Sequence, residues 1–169
     1  MKKIFLLVAN FIVCLMLVGC SLFAPKNIEF IVYRPPADGS EILLAEKIQM
    51  KNNDRPIAEN ALIHLMTVKP VDDRAYQDCV PDNAKLLSLT VKDGIAYVDF
   101  SKEVSKKTMG SYEATMFMGA VVNTLTEFKE IKAVQILIEG QKKVMYCGVL
   151  DIEEPLTRNE SLLPKAVAQ

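Results

Sequence analysis

The dipeptide Asp93-Gly94, inside "KLLSLTVKDGIAYVDFS", constrains the fold more than any other feature of the chain. Both residues tolerate positive φ, so between two runs rich in β-branched and aromatic residues they specify a two-residue type I′ hairpin turn. A two-residue turn also sets the pairing: Lys92 opposite Ile95, Val91 opposite Ala96, Thr90 opposite Tyr97, Leu89 opposite Val98, Ser88 opposite Asp99 and Leu87 opposite Phe100. Successive pairs alternate faces, which puts Leu87, Leu89, Val91, Ala96, Val98 and Phe100 on one apolar surface and Asp99 on the other. A three-residue turn would set Asp99 against Leu87 on the core face, burying a carboxylate without a partner. The shorter turn is therefore expected.

The remaining elements follow from periodicity. Ile28 to Arg34 ("IEFIVYR") has strand composition, and Glu41 to Met50 is either its hairpin partner or a short helix. "NNDRPIAENALIHLMTVKP" predicts a helix with Asn53 or Asp54 as cap, Pro56 in the first turn, and Ile57, Ala61, Leu62 and Leu65 on one face. Residues 71–84 form a polar loop carrying Cys79. "GSYEATMFMGAVVNTLTEFKE" predicts a second helix, with Ser111 as cap and a core stripe of Ala114, Phe117, Met118, Val121, Val122, Leu125 and Phe128. Its opposite side, Tyr112, Met116, Gly119 and Asn123, carries no Lys or Arg. Another part of the chain covers that side, or it is an interaction face for a partner. "IKAVQILIEG" supplies a strand that turns at Gly140, and "KKVMYCGVL" supplies another. The fold class is α+β, two helices packed on a small mixed β-sheet.

The first residues, "MKKIFLLVANFIVCLMLVGCS", have two lysines, an apolar run too short for a comfortable membrane span, and Gly19 before a cysteine. Residues 1–19 read as a lipoprotein signal peptide and Cys20 as the lipidated first residue of the mature chain, since "LVGC" resembles the bacterial lipobox. A lipidated linker, 20–27, then leads to a domain over 28–160 and a tail, 161–169. The expected location is the cell envelope, outside the cytoplasmic membrane and anchored through lipid such as palmitate on Cys20. Losing Lys2 and Lys3 shifts the balance from 20 basic against 21 acidic residues to 18 against 21, with the basic ones scattered, so a nucleic-acid surface is not expected. Cys79 and Cys147 remain after Cys14 and Cys20 are set aside. Outside the membrane they are either a disulfide or two buried thiols.

Three stretches, "LLSLTVKDGIAYVDFSKE", "VVNTLTEFKEIKAVQILIEG" and "PLTRN", resemble the GerMN domain of sporulation and spore-germination lipoproteins. The resemblance spans about residues 28–160, with one copy of the domain. It implies a fold similar to ring-building motifs and a non-enzymatic module that works by binding other proteins. The partner would be an envelope protein or a second copy of the chain, with sporulation or germination as the setting. Cys79 and Cys147 match nothing in the family pattern.

Other readings compete at particular residues. Asp99, paired with Glu103 or with His64, could serve a hydrolase, although carboxylates on a polar strand face or in a Ser/Lys-rich turn are ordinarily solvated. Arg158 and Asn159 could recognise an anion such as a cell-wall fragment, or Asn159 could close a turn on its own backbone. His64, the single histidine, falls on the edge of a helical stripe with no Cys-x-x-Cys or His-x-x-x-His spacing in the chain, so neither a metal nor a cofactor is expected.

Overall fold

The computed structural model describes residues 27–105 and 109–165; the segment read as a signal peptide and the expected lipidation site, Cys20, lie outside the described residues. By internal contacts the chain divides into Met1–Glu29 with Gln49–Asp54, and Phe30–Ile48 with Arg55–Gln169. In the first unit the described part is the open end of a hairpin, where Gln49 Nε2 donates to Glu29 Oε1 at 2.9 Å. The second unit carries the sheet, both helices and the core.

Strands β1 (Asn27–Arg34) and β2 (Leu44–Lys51) pair with each other. This resolves the ambiguous segment after "PPADGS" as an extended partner. Helix α1 runs Ile57–Thr67, then β3 (Leu86–Lys92), β4 (Ile95–Phe100), helix α2 (Ser111–Leu125) and β5 (Ala133–Ile138). The short strands β6 (Met145–Tyr146), β7 (Leu150–Asp151) and β8 (Leu156–Thr157) follow. The main sheet has the order β3-β4-β5-β8, with β4 and β5 parallel and the outer pairs antiparallel. Helix α2 is the crossover that a parallel pair requires. The class is α+β, as the patterning indicated.

The Asp93-Gly94 turn has φ of 52° and 79°, and the pairing from Lys92↔Ile95 to Ser88↔Asp99 is the one the turn dictates. The register departs at the far end. Phe100 pairs with Leu86, leaving Leu87 as a bulge. An edge strand tolerates such an extra residue because only one neighbour reads its ladder. The apolar surface also divides. Ala96, Val98 and Phe100 are fully buried beneath α2, where the Phe100 and Phe117 rings meet at 5.8 Å, but Leu87 and Val91 on the edge remain 49% and 44% exposed.

Both helix caps differ from expectation. Helix α1 is entered through Pro56 and α2 through Gly110, neither with a side-chain cap. Pro56 takes the cap position itself, and its carbonyl accepts the first helical bond, from the Asn60 N–H at 3.0 Å. Ile57 is 41% exposed, and the buried stripe is Ala58, Ala61, Leu62, Leu65 and Met66. Helix α2 is buried along Ala114 and from Met116 to Leu125, which makes it the centre of the core rather than a surface helix.

Candidate functional site

The uncharged side of α2 is covered by the chain itself. Met116, Gly119 and Asn123 are buried, and only Tyr112 is partly exposed, its hydroxyl donating to the Ser40 carbonyl at 3.4 Å. A Cβ on Gly119 would lie 2.5 Å from Leu162 Cδ1 and 3.2 Å from Leu43 Cδ1, so the glycine is what lets those two leucines seat on the helix. Asn123 accepts from the Asn159 backbone N–H at 2.9 Å and donates to its carbonyl at 3.3 Å. Thr124 Oγ1 accepts from the Tyr33 N–H at 2.9 Å. The proposed interaction face is therefore corrected: these polar groups are matched internally, which is how a helix whose one charged side chain, Glu113, sits in its exposed first turn can be buried on both sides beyond it.

The same geometry corrects the anion-site reading of Arg158 and Asn159. The Arg158 guanidinium donates to Tyr33 Oη at 2.9 Å and to the Asn123 carbonyl at 3.1 Å, and pairs with Glu127 at 3.1 Å and Glu160 at 3.0 Å. Its carbon lies 5.3 Å from the centroid of the Tyr33 ring. Burial pushes the Tyr33 hydroxyl above its ordinary range, with Arg158 acting against that rise and Glu127 with it. Asn159 Oδ1 accepts from the Ser161 N–H at 3.0 Å and the Ser161 hydroxyl at 2.6 Å, which caps a 3₁₀ turn, Glu160–Leu162. "PLTRN" is thus a clasp. Leu156–Thr157 add to β5 as β8, Arg158 ties β1 to the end of α2, and Asn159 starts the turn that brings Leu162 to Gly119.

Asp99 is likewise committed. Its Oδ1 accepts from the Gly140 N–H at 2.8 Å, bracing a tight turn in which Glu139 and Gly140 have φ of 53° and 72°. Glu103 is held below the usual carboxylate range by the Ser101 hydroxyl and by its own backbone N–H. His64 stacks edge-on against Phe30 at 5.9 Å, and the charges that bear on it are Arg34 and Glu46. Asp99 and Glu103 are thus each held by bonds of their own, and His64 packs elsewhere, against Phe30.

Cys79 and Cys147 each carry a thiol, with no bond between them. Cys79 lines a groove of about 320 Å³ with Met109, Tyr112 and Met116, and burial pushes its thiol up to about 12. Cys147 Sγ lies 3.8 Å from Met109 Sδ. Among the described residues no three His, Cys, Asp or Glu side chains cluster as a metal site would require, and no helix is long and apolar enough to cross a membrane.

Sequence reading missed two features. Arg34 is fully buried, with Nε on Glu46 at 2.7 Å and Nη2 donating to the Val68 carbonyl at 2.7 Å, while the other Glu46 oxygen accepts from the Val71 N–H at 3.2 Å. A charge at a strand end gives no sign of burial, because the segment that covers it is distant in sequence. The second feature is the longer of the two edges of the main sheet. Among the described residues strand β3 has no strand on its outer side, and beside it Ile63 and Met66 of α1 and Leu86, Leu87 and Leu89 line a groove of about 400 Å³. An open row of backbone donors and acceptors flanked by half-exposed apolar side chains is a template for strand addition.

Comparison with known proteins gives a consistent class. The GerMN domains of the sporulation protein GerM from Bacillus subtilis have this fold. The first domain alone aligns with a TM-score of 0.65 at 23% identity, covering 78% of this chain and 98% of that one. The tandem-domain structure aligns with a TM-score of 0.65 at 21% identity, and this chain spans 46% of its length. A Clostridium perfringens protein described as a candidate lipoprotein aligns with a TM-score of 0.54 at 21% identity, over 82% of this chain and 94% of that one. No curated protein matches the chain. The family Germane, described as sporulation and spore germination, matches residues 31–144. The chain belongs to that family.

Proposed function

We propose that this protein is a lipid-anchored extracytoplasmic module that binds another envelope protein, without catalysis, in a sporulation or germination setting. The observation that carries the reading is the open edge of β3, a seven-residue strand with no neighbour on its outer side among the described residues and with Leu87 and Val91 exposed beside it. A partner supplying an extended segment would pair with that edge and cover both side chains. The side chains that resemble catalytic or anion-binding groups, Asp99 and Arg158, are spent on internal bonds, which supports binding over hydrolysis. The Cys20 anchor rests on the "LVGC" pattern and on the lipoprotein description of the Clostridium perfringens relative.

Two measurements test this. Cys20→Ala should move the protein from the membrane fraction to the soluble one; retention of the variant in the membrane would overturn the lipid anchor. A photoreactive side chain at Val91 should crosslink to one envelope protein in cells, and Leu87→Lys should abolish that adduct while leaving thermal unfolding unchanged. An adduct that survives Leu87→Lys would remove the β3 edge as the binding surface.

A further inference from the structure

We propose that Cys79 and Cys147 close an intramolecular disulfide in the exported protein, strapping the polar loop after α1 to the β6–β7 hairpin. The proposal rests on the extracytoplasmic reading above, because thiol pairs persist as thiols in a reducing cytosol. The cysteines lie far apart in sequence, yet both neighbour Met109. Cys79 and Met109 line one groove, and Cys147 Sγ sits 3.8 Å from the Met109 sulfur. The Tyr146 hydroxyl, which donates to the Val104 carbonyl at 2.7 Å, lies 3.2 Å from that sulfur and fixes the residue next to Cys147 against it.

The backbone on each side is set for a strap. Cys147 and Gly148, with φ of 51° and 75°, form the tight connection between β6 and β7, and Ser105 Oγ lies 3.9 Å from the thiol. The loop carrying Cys79 is held to the chain before β2 by a bridge, Pro36↔Tyr76, and by the Gln77 N–H on the Pro35 carbonyl at 2.8 Å. Met109, the shared neighbour, has an unbranched side chain with three rotatable bonds and can vacate the space where two sulfurs must approach. No third His, Cys, Asp or Glu joins the pair among the described residues, so the site suits a covalent bond between two sulfurs better than a metal.

The step balances by thiol–disulfide exchange. One cysteine thiolate attacks a sulfur of an oxidant disulfide, giving a mixed disulfide and releasing the oxidant's first thiol. The second cysteine, as thiolate, then displaces the oxidant's other sulfur. The protein loses two hydrogens, and the oxidant gains them as two thiols.

The test uses the purified full chain in detergent, equilibrated with oxidised and reduced glutathione, alkylated without prior reduction and digested with trypsin. The expected product is one peptide pair joining residues 75–85 to 144–158, split by reductant. The unfolding temperature of the oxidised protein should fall by roughly 10 °C on reduction. Cys79→Ser should show no such fall. Glutathione adducts on the separate cysteines, disulfide-linked dimers, or two alkylated thiols under oxidising buffer would each overturn the proposal. Because the oxidation is done on purified protein, its outcome is separable from the question of location, which the Cys20→Ala fractionation decides.

Discussion

Replacing Arg158 with Met separates a clasp from a ligand site. Met keeps most of the apolar stem and removes the bonds to the Tyr33 hydroxyl, the Asn123 carbonyl and Glu127. Two part-buried hydrogen bonds contribute about 1 kcal/mol each. The Glu127 pair, at 26% and 34% side-chain exposure, is discounted for solvent screening to about 0.5 kcal/mol. The Glu160 pair, whose carboxylate is 74% exposed, adds about nothing. Stacking of the cation on Tyr33 adds about 0.5 kcal/mol. The sum is about 3 kcal/mol, or a fall of roughly 6–12 °C in unfolding temperature for a domain of this size. Urea unfolding of the full chain in detergent, followed by circular dichroism, should show a lower midpoint with the slope unchanged. A double cycle with Glu127→Gln should show a positive coupling of about 0.5 kcal/mol. If Arg158→Met unfolds within about 0.5 kcal/mol of the parent, the clasp is not structural and the anion-binding role of Arg158 returns.

Other substitutions probe the remaining parts. Gly119→Arg should prevent folding, because a charged side chain would enter the space held by Leu162 and Leu43; Gly119→Ala should cost about 1 kcal/mol, overpacking slightly exceeding the gain in helix propensity. Glu46→Gln should destabilise by roughly 3 kcal/mol by leaving the buried Arg34 charge uncompensated, whereas the joint change Arg34→Met with Glu46→Leu should recover most of that loss, as read from denaturant midpoints. His64 has its pKa lowered, first by burial and then by Arg34. The unfolded chain therefore binds the proton more tightly than the folded one. Stability should be complete above about pH 6.5 and fall as pH drops below it toward the lowered folded value, and His64→Leu should remove that slope from a pH series of unfolding midpoints. Asp99→Asn should weaken only the bond to the Gly140 N–H, costing about 0.5 kcal/mol and leaving any binding activity intact.

What could be read from the residues was local in origin. The Asp93-Gly94 turn sets the register of its hairpin because its φ values are properties of those two residues, and the pairing held for five successive positions. It failed at Leu87, where a bulge is set by which strand is the edge, a fact of topology that the hairpin does not contain. The uncharged side of α2 was visible as an anomaly, but its meaning was not. What covers Gly119 and Asn123 comes from residues 43 and 159–162, distant in sequence. Arg158 and Asn159 looked like recognition groups for the same reason: a guanidinium reads alike whether its acceptors are a ligand's or those of Tyr33, Asn123 and Glu127. Burial of the Arg34–Glu46 pair lacked a local signal, since Val68 and Val71 complete it from the far end of α1.

The claim that matters most is that the protein works through the open edge of its main sheet. A photoreactive residue placed in turn at positions 87 to 92 in cells tests it directly, because an added strand alternates its side chains between two faces. The account predicts adducts to one envelope protein from consecutive positions along β3, alternating between two sets of partner peptides, and none from buried Gly119. Adducts scattered without that alternation, or adducts absent from β3 but present at Tyr112, would contradict it.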